Sequence, residues 1–165
     1  MTVTSDYLAR LDAVEMRLAA AAAAEPLPDA LTDADPRSGE RWERGQAWGH
    51  LAEFMPYWIA EAGPVLRGQE SGEPVPFGRT HVDAGRLSAI ERGRQEPMTA
   101  LWAETQAGIT ALRDFLGRMG PDQWEVVGFH VSRGPMTVNA LVEEFLVGHL
   151  EQHADQLEGM AEASS

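Results

Sequence analysis

The segment Thr137-Val138-Asn139-Ala140-Leu141-Val142-Glu143-Glu144-Phe145-Leu146-Val147-Gly148-His149-Leu150-Glu151-Gln152-His153-Ala154-Asp155-Gln156-Leu157-Glu158-Gly159-Met160 decides the fold. Its apolar residues recur at Val138, Leu141, Val142, Phe145 and Leu146, the three-and-four spacing of one helix face. Continued, that stripe reaches His149, His153 and Leu157 or Met160, so both histidines face inward, and Thr137 is placed to cap the helix. Two imidazoles one turn apart can grip one metal ion. A lone inward histidine is ordinarily a satisfied core residue, but two need two sets of partners unless one cation serves both. A core pair and a metal pair both remain open on this segment alone.

Outward from it, His50 lies in Ala47-Trp48-Gly49-His50-Leu51-Ala52-Glu53-Phe54, inside a second strongly helical stretch. It is either a histidine at the core boundary or a third ligand. Three neutral imidazoles from two helices would leave a dication with open positions, the arrangement of a reactive site. Other metal patterns fail on the letters. A zincin needs Glu at 150 and finds Leu150; the inverted form needs Glu at 152 and finds Gln152. A di-iron bundle needs Glu three residues before a histidine, where Ala47, Gly78, Val127, Leu146 and Leu150 stand. With no cysteine, thiolate sites are excluded.

The remaining chain reads as helices. Tyr7, Leu11, Val14 and Leu18 mark helix one, which Glu25-Pro26-Leu27-Pro28 stops. Residues 29–40 form a loop. Helix two runs from about Trp42 to Ala62, kinked or broken near Pro56 and ended by Gly63-Pro64. A long loop spans 65–95, with one short helix at Leu87–Arg94. Leu101, Thr105, Gly108, Leu112, Phe115 and Met119 form the stripe of helix three behind Pro97. Residues 122–135 read as an irregular link before helix four. The fold class is all-α, a four-helix bundle with a long crossover loop between helices two and three, in a single domain over residues 1–165. The five tryptophans suit a core or a homodimer face.

The chain carries 26 acidic against 13 basic residues, a formal charge of −13, which repels polyphosphates, so nucleic acid is not an expected partner. With no signal core and no span-length apolar stretch, the expectation is a cytoplasmic protein without membrane association, acting on a small-molecule substrate.

Together, Trp48-Gly49-His50-Leu51-Ala52-Glu53, Arg133-Gly134-Pro135-Met136-Thr137 and His149-x-x-x-His153-x-x-Gln156-Leu157 resemble the DinB-like family over nearly the whole chain. That superfamily of metal-dependent bundles includes thiol-dependent S-transferases and mycothiol-dependent maleylpyruvate isomerases. The resemblance implies a divalent ion, nickel or zinc, on His50, His149 and His153, and an external low-molecular-weight thiol such as mycothiol. The isomerase subgroup carries a further C-terminal domain that these residues do not include, which turns the expectation toward a transferase. A hydrolase is the near variant, and a noncatalytic metal-binding or interaction module is the rival. In the rival, Glu53 or His130 would supply a fourth ligand. His130 and Arg133 are either candidates to orient an anionic group or exposed loop residues, Gln156 is either a support for a ligand histidine or a plain helix position, and Asp155, which could do the same, reads first as a solvated helix position. No residue is assigned a catalytic step.

Overall fold

Thr2 opens α1 (Val3–Ala23): its hydroxyl accepts the Ser5 amide while the Ser5 hydroxyl accepts the Thr2 amide, a reciprocal cap. Tyr7, Leu11, Val14 and Leu18 are its buried residues, as their spacing predicts. The computed structural model describes residues 1–162 except Pro26 and Pro28. The proline stop expected there lies outside the described residues; α1 ends at Ala23.

Helix α2 (Arg44–Gly68) runs through both Pro56 and Pro64, which corrects the expected end at Gly63-Pro64. Both prolines are solvent-exposed, so their rings disturb no core packing, while Ala62 and Val65 bury against the core and carry the helix onward. The long crossover contains the expected short helix, α3 (Ala84–Gly93), which starts earlier than its apolar residues suggest and is capped by the Asp83 carboxylate on the Arg86 amide. It also contains a short strand that was not expected, β1 (Pro76–Phe77).

Helix α3 crosses the back of α2 at backbone contact. A Cβ on Gly45 would meet the Gly93 carbonyl oxygen at 2.5 Å, and one on Gly49 the Ala89 oxygen at 2.7 Å. Helix α4 (Met98–Gly117) buries Leu101, Thr105, Gly108, Leu112 and Phe115 as the spacing predicts.

The link expected to be irregular is a hairpin of β2 (Val127–His130) and β3 (Gly134–Thr137), with β1 parallel to β2 in the order β1-β2-β3. Its turn places Gly134 at φ +76, where a Cβ is disfavoured. Along β2, Gly128 and His130 point inward, Val127 and Phe129 outward.

The fourth helix is two helices, α5 (Val138–Phe145) and α6 (Val147–Glu162), broken at Leu146, whose φ and ψ are −124° and −93°. Gly148 permits the break, because a Cβ there would lie 2.2 Å from the Glu143 carbonyl oxygen. Arg10 spans it from α1, bonding Glu143 on one side at 2.7 and 2.9 Å and Glu151 on the other at 2.7 and 3.0 Å.

Helices α1, α2, α4 and α5–α6 enclose one core, with α1 against α4 and α6, and α2 against α4 and α5. The fold is mostly helical, as expected, but α3 and the three-stranded sheet make it more than a strict four-helix bundle. Trp42, Trp48, Trp58 and Trp124 are core residues and Trp102 packs against them half-buried.

Candidate metal centre

His50 on α2 and His149 and His153 on α6 point their Nε2 atoms at one another. The His149 Nε2 lies 3.0 Å from that of His50 and 3.0 Å from that of His153. His50 and His153 are buried, and His149 is half-buried at the edge of a cavity. The Trp42 ring stacks on His153 at 5.8 Å and meets His50 edge-on at 5.1 Å, while Phe54 meets His149 at 4.8 Å, so aromatic packing orients all three imidazoles.

The far nitrogens decide what the near ones can do. His153 Nδ1 lies 2.7 Å from the Gln156 Oε1, an acceptor, so Nδ1 carries the proton and Nε2 offers a lone pair. His50 Nδ1 faces Glu53 Oε2 at 3.5 Å, and neither atom has a hydrogen-bond partner among the described residues. Gln156 thus holds the His153 ring from behind, while Glu53 stands behind His50 without a hydrogen bond to it. Asp155 lies at the surface, paired with Arg17, the solvated position that reads first for it in the sequence.

Burial, then the neighbouring imidazoles, holds His50 well below the ordinary histidine pKa, and burial does the same to His149. Burial pushes His153 down to about 4. All three are therefore neutral at pH 7, the form that binds metal. Neutral rings with the His153 lone pair aimed at His149 can share at most one proton there, whereas a dication satisfies all three together. At a metal–nitrogen distance of about 2.1 Å, a 3.0 Å separation subtends roughly 90°, the angle on one face of an octahedron. The donor set and its spacing fit a divalent ion.

Among the described residues, only these three form a potential metal-ligating group. Neither proposed fourth ligand joins it. Glu53 sits behind His50, ion-paired with Arg79, whose guanidinium also stacks over Tyr57 at 3.8 Å. His130 is buried beside Trp58, Phe145 and Phe77, its Nδ1 accepting the Ser132 amide at 3.2 Å. It does not line the cavity, so the sequence-based role of orienting substrate does not fit its position. Arg133 does line it.

That cavity, of about 190 Å³, opens directly onto His50 and His149. Trp58 and Phe145, stacked at 4.2 Å, form an apolar wall. Asp35, Arg37, Arg79 and Arg86 also line it, and the sequence singled out none of them. The only local signal was Asp35-Pro-Arg-Ser, in which the Asp35 Oδ1 accepts the Arg37 and Ser38 amides at 2.8 Å, a turn that keeps its carboxyl below the usual range against the opposing effect of burial. A larger opening, of about 280 Å³, lies between the ends of α1 and α6, away from the histidines and lined largely by alanines.

No protein-family model and no curated protein matches the chain. Among solved structures, it is similar to an uncharacterised protein from Escherichia coli UTI89, with a TM-score of 0.64 and 14% identity, over 98% of this chain and 94% of that one. The likeness shows a shared fold.

Proposed function

We propose that the chain is a divalent-metal-dependent enzyme of the DinB-like family, acting as a thiol-dependent, mycothiol-type S-transferase. One observation carries the reading: three imidazole nitrogens converge, with no fourth protein ligand among the described residues, beside a cavity large enough for small molecules. Nickel or zinc is the ion proposed. When bound, such an ion supplies Lewis acidity and eases the ionisation of a thiol or water in its open positions, since neutral ligands leave its charge uncompensated. The protein's own part is positional. Gln156 fixes the His153 tautomer, Glu53 stands behind His50, and the Trp58–Phe145 wall gives one side of the cavity an apolar face.

Asp35 favours a hydrolase as the second reading. Its Oδ1 is engaged by backbone amides, while the carboxylate lines the cavity and acts electrostatically on His153, so it is placed to accept a proton from a water there.

The test is elemental analysis of untagged protein purified without chelator, beside His149→Ala. About one nickel or zinc per chain, lost in the variant, is the expected result. No metal after reconstitution would overturn the proposal.

A further inference from the structure

All 13 basic residues of this acidic chain are arginines, and four of them, Arg37, Arg79, Arg86 and Arg133, line the cavity over the histidines. Only Asp35 and Glu144 line it with negative charge. Acids that stand behind the lining neutralise part of that charge, so what the cavity offers an anion depends on which guanidiniums keep free donors.

The four arginines are not equivalent. Arg79 is almost fully buried and committed to Glu53 and Asp83. Arg86 spends its fork on Glu40 at 3.2 Å and the His81 carbonyl at 2.7 Å. Both build the wall. At the mouth the balance differs, because Arg37 and Arg133 both reach the same oxygen of Glu144, Oε2, Arg37 only at 3.8 Å. Two guanidiniums thus share one carboxylate, and Arg37, with 67% of its side chain exposed, is the one left over. Arg133 is held in place over the Phe145 ring at 4.9 Å, and the arginine pair lines the same cavity as His50 and His149.

We infer that the cavity takes a small organic anion whose carboxylate docks on Arg37 and Arg133 while its other end reaches the three-histidine centre. A planar carboxylate suits paired guanidiniums because each presents a fork of N–H donors. The inference rests on the reading of this cavity as the substrate site.

The experiment is calorimetric titration with succinate and with its uncharged analogue succinamide, on metal-loaded and metal-free protein. Arg37→Gln, Arg133→Gln and His149→Ala are titrated alongside, and metal content is measured in each. Succinate should bind at least about tenfold tighter than succinamide, the scale of one charged hydrogen bond. Either arginine variant should erase most of that preference with metal content unchanged; Arg37 is exposed enough that its replacement leaves the fold intact. Equal binding of the two probes overturns the inference. So does a preference that survives in both arginine variants and disappears in His149→Ala, which would assign the anion to the metal alone. If no preparation holds metal yet the arginine-dependent preference persists, the metal reading fails and this one stands.

Discussion

Lowering the pH of the metal-free protein should destabilise it well before its carboxylates titrate. His153 has an ordinary pKa of 6.5 unfolded and about 4 folded, because burial disfavours the imidazolium. Between those values the unfolded chain binds a proton that the folded chain refuses, so stability is full above 6.5 and falls as pH drops toward 4. From pH 7 to 5 this one group costs about 2 kcal/mol, by the linkage relation at 1.36 kcal/mol per pKa unit. His50 and His149 are shifted in the same direction, so the total is larger. The carboxyls held low by their partners, Glu143 by Arg10 and Glu158 by Arg17, lose their contributions at lower pH, while Glu53, which burial pushes up, works in the opposite direction, so His153→Phe isolates the histidine share. Urea unfolding of chelated protein at pH 7, 6 and 5 reads the effect as a fall in midpoint at constant slope. His153→Phe should flatten the dependence by about 2 kcal/mol over the same range. Equal stability at pH 7 and 5, or an unchanged pH dependence in the variant, would refute the claim that these rings are buried neutral.

Two further predictions follow from the supports of the site. Replacing Glu53 by Gln removes the carboxylate facing His50 Nδ1 and should weaken metal affinity by roughly 10- to 100-fold, measured by competition with a chelating dye, with the fold kept by circular dichroism. Gly49→Ala places a methyl 2.7 Å from the Ala89 carbonyl oxygen and should destabilise by about 1–3 kcal/mol in urea, through overpacking of α3 on α2; a neutral result would mean that α3 is free to shift.

The histidine triad was legible because a helix converts spacing into direction. His149 and His153 prolong the stripe begun by Val138 and Leu141, and His50 shares its face with Ala47 and Phe54. The stripes of α1 and α4 were legible for the same reason. What the letters concealed is what depends on contacts distant in sequence. Pro64 reads as a stop, yet burial of Val65 outweighs one lost hydrogen bond. The β2 strand has only four residues, and its alternation is carried by a glycine and a histidine, so it gives almost no apolar period. The cavity's arginines come from three separate connections and from α3, and nothing local announces that they meet. The break at Leu146 was hidden because the apolar positions continue across it. Gly148 was its one sign.

That break changes how the cavity can be altered. In an unbroken α-helix each residue advances about 100°, so Phe145 and Glu144 could not be turned relative to His149 without turning the histidine as well. With Leu146 outside helical geometry, residues 138–145 form one rigid piece that shapes the mouth and aromatic wall, and residues 147–162 another that aims the ligands. Substitutions on the first piece can therefore re-cut the space offered to a substrate while the imidazole geometry stays as it is. For redesign of specificity, α5 is the adjustable side of this molecule and α6 the fixed one.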